Sequence, residues 1–383
     1  MTTNDAPPRT RPVSGLSATR QRLASAWSLV APLLLVYIAV LVLNSAGASV
    51  QQEVQYALAN LVIVVGLQSF VGTSGILSFG HVGFVAAGAW TLGLLSEDPA
   101  VKKNTIASMF SLLRDAHRSF WIALVLAMLV GGVLAALVAP VLMRLNGLQA
   151  GIATFAFLSV INVLLANWNK IGPASSQQGF FFSGSSLDTQ TLLLIALAAV
   201  VVSWLYQRSK SARLLRASRE SLVAAPASGI DVTRHRIIAL VVSGLLCGLG
   251  GGLTAQVHGS IDPSQVSVQL TFLTVSMLVL GGLLSVWGAV VGTLLFSLID
   301  FLLQEASTGL AVGGFVVTVP SGAHQIVLGA VLVLVLLLRP EGITRGQEVS
   351  WPFVSQRGGG IPRSPTLRRP GRVPVATAEG QHD

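Results

Sequence analysis

Charge is scarce in this sequence. Of 383 residues, 10% are Asp, Glu, Lys or Arg, while 52% are hydrophobic. Soluble domains carry roughly 25% charged residues, so this chain cannot cover a water-facing surface, and lipid is the solvent for most of it. Cysteine is nearly absent. Cys247 stands alone in an apolar run beside Gly244, Gly248 and Gly250, which excludes an internal disulfide and a cysteine-based metal cage. It reads as a small packing residue. Polar groups inside apolar runs are also few: Asn60, Asn162, Asn167 and Asp300. None pairs in sequence with a basic partner inside a span. Proton- or sodium-coupled carriers need intramembrane carboxylates or relays, so the driving energy is expected to come from elsewhere. No Gly-x-x-x-x-Gly-Lys-Ser/Thr loop is present, nor any Gly-Lys pair, so the chain does not itself bind ATP through a phosphate loop. No Ser/His/Asp, His/Glu or carboxylate pair has a spacing suited to catalysis, and an intramembrane enzyme is not expected.

What is present is a series of apolar segments. A spanning helix needs about 20 mostly apolar residues. Segments 27–43, 54–70, 119–143, 148–167, 190–206, 237–257 and 325–338 qualify by composition. Segment 82–95 is short and follows a glycine-rich break, and 271–303 is too long for one span and is interrupted near Gly281, Gly282 and Gly288. Reading each awkward region as helix, break, helix gives about ten spans. The fold expected is all-α, a polytopic membrane bundle with glycine-broken helices. Net charge is +9, but the basic residues lie in short segments between apolar runs, which fits orientation in a membrane and not nucleic acid. With a cytoplasmic N-terminus, 19 of the 24 Lys and Arg fall on the cytoplasmic side: in residues 1–26, at Arg144, in 207–236 and after Leu338. Both termini are then cytoplasmic. The expected organisation is a basic, disordered tail over 1–26, a permeation domain over 27–345 containing the loop 207–236, and a second basic, disordered tail over 346–383. The first apolar stretch lacks a convincing cleavage site and is expected to be retained.

The run from Gly72 to Gly83 holds four glycines besides Ser74, Ser78 and His81. A lipid-facing helix would be weakened by so many poor helix formers. Broken backbone at membrane depth persists only where protein covers it or a wet cavity meets it. Two readings stand: close packing of small residues, or a lining of the translocation pathway by Ser74, Gly75, Ser78, Gly80, His81 and Gly83. A second break, with Gly281, Gly282 and Ser285, repeats the pattern, since Gly75-Ile-Leu-Ser78 aligns with Gly282-Leu-Leu-Ser285. Both breaks fall on the same side of the expected topology, as an internal duplication would place them.

The loop 207–236 contains Leu222-Val-Ala-Ala-Pro-Ala-Ser-Gly-Ile230 between charged flanks. It suits a stubby helix stopped by Gly229. Such a segment either lies on the bilayer surface or docks on another protein.

Four pieces in order carry a resemblance. They are Gly75-Ile-Leu-Ser-Phe-Gly-His81, then Arg216-Ala-Ser-Arg-Glu220 with Ala224-Ala225 and Gly229-Ile-Asp-Val-Thr, then Val279-Leu-Gly-Gly-Leu-Leu-Ser-Val-Trp-Gly288, and finally Arg339-Pro-Glu-Gly342. The chain resembles permeases of branched-chain amino acid ABC importers of the LivM type. The resemblance spans Leu58 to Gly342. It implies a bacterial cytoplasmic-membrane protein that binds no cofactor itself. It also implies partners: a second related permease, two cytosolic ATPase subunits that use ATP and Mg, and an extracytoplasmic solute-binding protein. It assigns Arg216, Arg219, Glu220, Ala224, Ala225 and Gly229 to ATPase coupling. Three departures stand out. Pro226 replaces a helix-compatible residue, so the docking helix is expected to begin later or bend. The segment Ile171–Gly179 has lost most glycines of an external loop, and Leu284 replaces a glycine. Urea or short-chain amides are the alternative solutes, and an ATP-independent channel or carrier is the alternative class.

Overall fold

The computed structural model describes residues 18–43, 47–105, 110, 116–168, 180–181, 187–221, 223–312, 315–317, 323–339, 342–346 and 348. Most of the two expected tails and the segment 171–179 lie outside the described residues. Helices dominate: α1 (Ala18–Leu43), α2 (Ala48–Ser74), α3 (His81–Ser96), the short α4 (Pro99–Thr105), α5 (Phe120–Leu142), α6 (Gly147–Asn167) and α7 (Thr189–Arg208). The chain continues through α8 (Lys210–Ala217), the single turn α9 (Ala224–Ala227), α10 (Val232–His258), α11 (Val268–Gly281), α12 (Val286–Gly309) and α13 (Ala323–Leu338). Two short antiparallel ladders complete it: β1 (Phe180–Phe181) with β2 (Ser260–Ile261), and β3 (Leu310–Val312) with β4 (Phe315–Val317).

Among the described residues, seven helices are long and apolar enough to cross a membrane: α1, α2, α5, α6, α7, α10 and α12. The helices α3 and α11 are apolar but shorter, and α13 is a 16-residue apolar helix. The chain is thus an all-α polytopic membrane protein. Apolar side chains such as Leu137, Val141, Leu148 and Leu194 face outward, as a lipid-facing surface requires.

The helix α10 is the centre, packed against α2, α3 and α5. Its glycines explain how close these approaches are. A Cβ at Gly251 would stand 2.0 Å from the Val85 carbonyl oxygen of α3, and one at Gly88 would stand 2.1 Å from that of Gly248. Lipid supplies no hydrophobic force between helices, so van der Waals contact between backbones is what holds them. Polar side chains add to the seam. Ser243 Oγ donates to the Gly66 carbonyl at 2.7 Å, and Ser69 Oγ of α2 donates to Ser203 Oγ of α7 at 2.8 Å. Cys247 is buried in the same seam, its Sγ 3.9 Å from the Ile63 carbonyl oxygen.

Candidate functional site: a coupling junction and a polar cavity

Both expected breaks exist, and both begin at a glycine in a conformation that L side chains rarely adopt. Gly75 ends α2 with φ 71°, and Gly282 ends α11 with φ 124°. A serine three residues on then bonds the backbone of each break, two residues ahead in the first and three ahead in the second. Ser78 Oγ accepts from the Gly80 N–H at 3.4 Å, and Ser285 Oγ accepts from the Gly288 N–H at 2.9 Å. Ser74 closes α2 by donating to the Phe70 carbonyl at 2.8 Å while accepting from the Ile76 N–H at 3.2 Å.

Most of the glycines here make room. A Cβ at Gly80 would meet the Thr154 carbonyl oxygen at 2.4 Å, one at Gly83 the Phe157 ring at 2.8 Å, and one at Gly281 the Gly288 carbonyl oxygen at 1.8 Å. His81 is buried between Phe70, with ring centroids 5.4 Å apart, and Phe84, at 6.0 Å. Neither of its ring nitrogens has a hydrogen-bond partner.

The two breaks also meet each other, since Gly72 packs beside the Leu283 carbonyl. The loop reaches this meeting point through Arg219. Its Nη1 donates to the Gly72 carbonyl at 3.2 Å, and its Nε covers the face of Gly75 that a Cβ would fill. A cation at the C-terminal end of a helix interacts favourably with the macrodipole and satisfies an orphan carbonyl. Arg216 holds the loop to α7 by donating to the Gln207 carbonyl. Burial disfavours the charged form of Arg216, and the carboxylate of Glu348 offsets that cost.

Glu348 itself accepts from the Val286 N–H at 2.9 Å, at the start of α12. Burial pushes its carboxyl above the usual carboxylate range, opposed by the backbone N–H groups of Val286 and Trp287 and by Arg208 and Arg216. The packed region therefore continues at least to Glu348, into the stretch expected as tail. Thr344 joins it there by donating its N–H and hydroxyl to the Gly281 carbonyl, at 3.1 and 2.7 Å. The consequence is measurable. Glu348→Ala should lower the thermal stability of the solubilised protein by about 1 kcal/mol, the usual worth of a helix cap, whereas Glu348→Gln, which keeps an acceptor, should lose less.

The loop forms a helix of one turn. Ser221 Oγ accepts from the Ala224 N–H at 3.1 Å. At the other end the Ile230 N–H bonds the Ala225 carbonyl and the Gly229 N–H bonds that of Pro226, with Gly229 at φ 75°. This is a Schellman stop. The turn begins before Pro226, contrary to the sequence expectation, because a first-turn proline lacks only an N–H that would have had no helical partner. Ala225 is buried, whereas Glu220, Ala224 and Gly229 are exposed, and Val223 is 89% exposed. Leu222 lies outside the described residues.

At the far end of the same helices lies a cavity of about 650 Å³, lined by residues of α2, α10, α11 and α12 and of the segment between α10 and α11. Its polar lining includes residues four apart on three helices: Gln52, Tyr56 and Asn60 of α2, Thr254 and His258 of α10, and Asp300 and Gln304 of α12. That spacing, visible in the sequence, puts each set on one helix face, and Asn60 and Asp300 are the two already apparent there as polar groups inside apolar runs. Gln265, from the segment before α11, and Gln269 of α11 add to it. None of the break residues singled out from the sequence lines it.

A profile for the permease component of branched-chain amino acid transport systems matches residues 54–336. The chain belongs to this family. It is a membrane-spanning permease subunit of the ABC-importer type. The LivM permeases of the high-affinity branched-chain amino acid transport systems of Salmonella typhimurium and Escherichia coli are 25% and 24% identical to it over 316 residues, covering 74% of this chain and 67% of theirs. A probable LivH permease of Methanocaldococcus jannaschii is 30% identical over 170 residues, covering 43% and 50%. No solved structure matches the permease.

Proposed function

We propose that this permease carries branched-chain amino acids inward across a bacterial cytoplasmic membrane, driven by ATP that partner subunits hydrolyse. A second related permease completes the pathway, two ATPase subunits dock on the loop 207–236 from the cytosol, and an extracytoplasmic binding protein delivers the solute. The chain binds no nucleotide or other cofactor of its own. One observation carries the mechanism: Arg219 of the loop is bonded to the end of α2 at the first glycine break. A push on the exposed turn Ala224–Ala227 is thereby delivered to the junction where α2, α11 and α12 end or begin. Arg216 and Glu220 flank this lever, Ala224, Ala225 and Gly229 shape its tip, and the breaks at Gly75 and Gly282 act as its hinges beside the pathway. Solute specificity follows the named substrate of the LivM relatives.

Purification with co-expressed ATPase tests the docking. The intact chain should retain the ATPase, and deletion of Ser221 to Gly229 or Glu220→Lys should abolish its retention. A deletion mutant that keeps its ATPase partner would overturn the assignment. Uptake of labelled leucine, compared with labelled urea, in the reconstituted system tests the solute.

A further inference from the structure

The cavity at the end of the bundle opposite the loop has a one-sided chemistry. Two carboxylates line it, Glu53 of α2 and Asp300 of α12. Among the described residues, no lysine or arginine lines it. Gln265 adds a buried Oε1 that has no hydrogen-bond partner, an acceptor waiting for a donor. The remaining lining is mixed: an aliphatic part made by Ala59, Leu270 and Leu273, and the amide, hydroxyl and imidazole side chains named above, with Ser264. A pocket with two carboxylates, no lysine or arginine among its described lining residues and an aliphatic part suits a small molecule carrying an ammonium group and a hydrocarbon side chain. It offers an anionic solute no lysine or arginine among the described residues.

We propose that this cavity is the first solute subsite of the permease, in which Glu53 and Asp300 take the ammonium group of an aliphatic amino acid and Ala59, Leu270 and Leu273 take its side chain. This rests on the import reading above, which places the cavity on the extracytoplasmic side. A cation beside a carboxylate favours the ionised form of that carboxylate and is itself held by it. The field of the two carboxylates also draws cationic groups in faster than anionic ones.

The test uses the assembled importer with Gln269→Cys, a cavity-lining and exposed position. The native Cys247 is buried and serves as the unreactive background. A cationic thiosulfonate should label the new cysteine roughly tenfold faster, relative to a free thiol, than an anionic one does. Glu53→Gln with Asp300→Asn should erase that preference. Leucine and 3-methylbutylammonium at millimolar concentration should protect the cysteine, and 4-methylpentanoate should not. Equal labelling by both reagents, equal protection by 4-methylpentanoate, or protection by none of the three solutes overturns the subsite. The import reading fails separately, if the unmutated importer shows no ATP-dependent leucine uptake.

Discussion

Arg219→Ala should cut ATP-driven uptake roughly five- to tenfold, the size of a typical coupling free energy, while leaving the permease inserted and bound to its ATPase. The two halves of this expectation have different causes. Arg219 is exposed apart from its contact with Gly72, so its bond is partly screened and contributes about 1 kcal/mol or less to folding. Yet it is the side chain that ties the loop to the first break, and through the contact between Gly72 and Leu283 to the second. Removing it leaves a lever without an attachment. Arg219→Lys should recover part of the loss, because a lysine keeps the charge at the helix end but not the planar guanidinium that lies over Gly75. Uptake and ATPase turnover in proteoliposomes, measured beside melting temperature, separate the outcomes. A variant that melts early and transports in proportion to its folded fraction would make Arg219 structural only.

Gly251→Ala combined with Gly88→Ala should eliminate most of the correctly folded protein. Each new Cβ would lie about 1 Å inside the 3.0 Å limit that real contacts respect, against backbone oxygen that cannot swing aside. The helices α3 and α10 would have to part along their seam. Overpacking of this kind costs about 1–3 kcal/mol per site, and membrane helices have no hydrophobic force to draw them together again. Gly329→Ala is the control. No atom lies within 4 Å of its added Cβ, and alanine favours the helix by about 1 kcal/mol. Yield of the monodisperse solubilised protein and its melting temperature report both results. Normal yield from the double variant would show that the seam is looser than its geometry.

The elements most readable from the sequence were those fixed by local chemistry. Apolar length marked the helices, and Gly75 and Gly282 marked where two of them end, because few residues other than glycine adopt their φ angles. Gly229 marked the stop of the loop turn in the same way. The junction was not readable, since its bonds join residues far apart in the chain: Arg219 with Gly72, Glu348 with Val286, and Thr344 with Gly281. Glu348 was the clearest miss. It lies in a stretch whose composition resembles a tail, and only the folded ends of α11 and α12 give its carboxylate a place. The cavity was half legible. Its polar residues recur every fourth position on α2, α10 and α12, but no rule of spacing says that these helices turn those faces toward one another.

The sequence by itself determined that this chain is a membrane bundle with broken helices, because burial in lipid and glycine backbone freedom are properties of short segments. Tertiary structure alone decided that the loop, the two breaks and Glu348 form one junction, and that Glu53 and Asp300 share a cavity at the other end. Such pairings depend on which helix faces pack, and packing is set by the close approach of whole backbones at Gly88, Gly248 and Gly251.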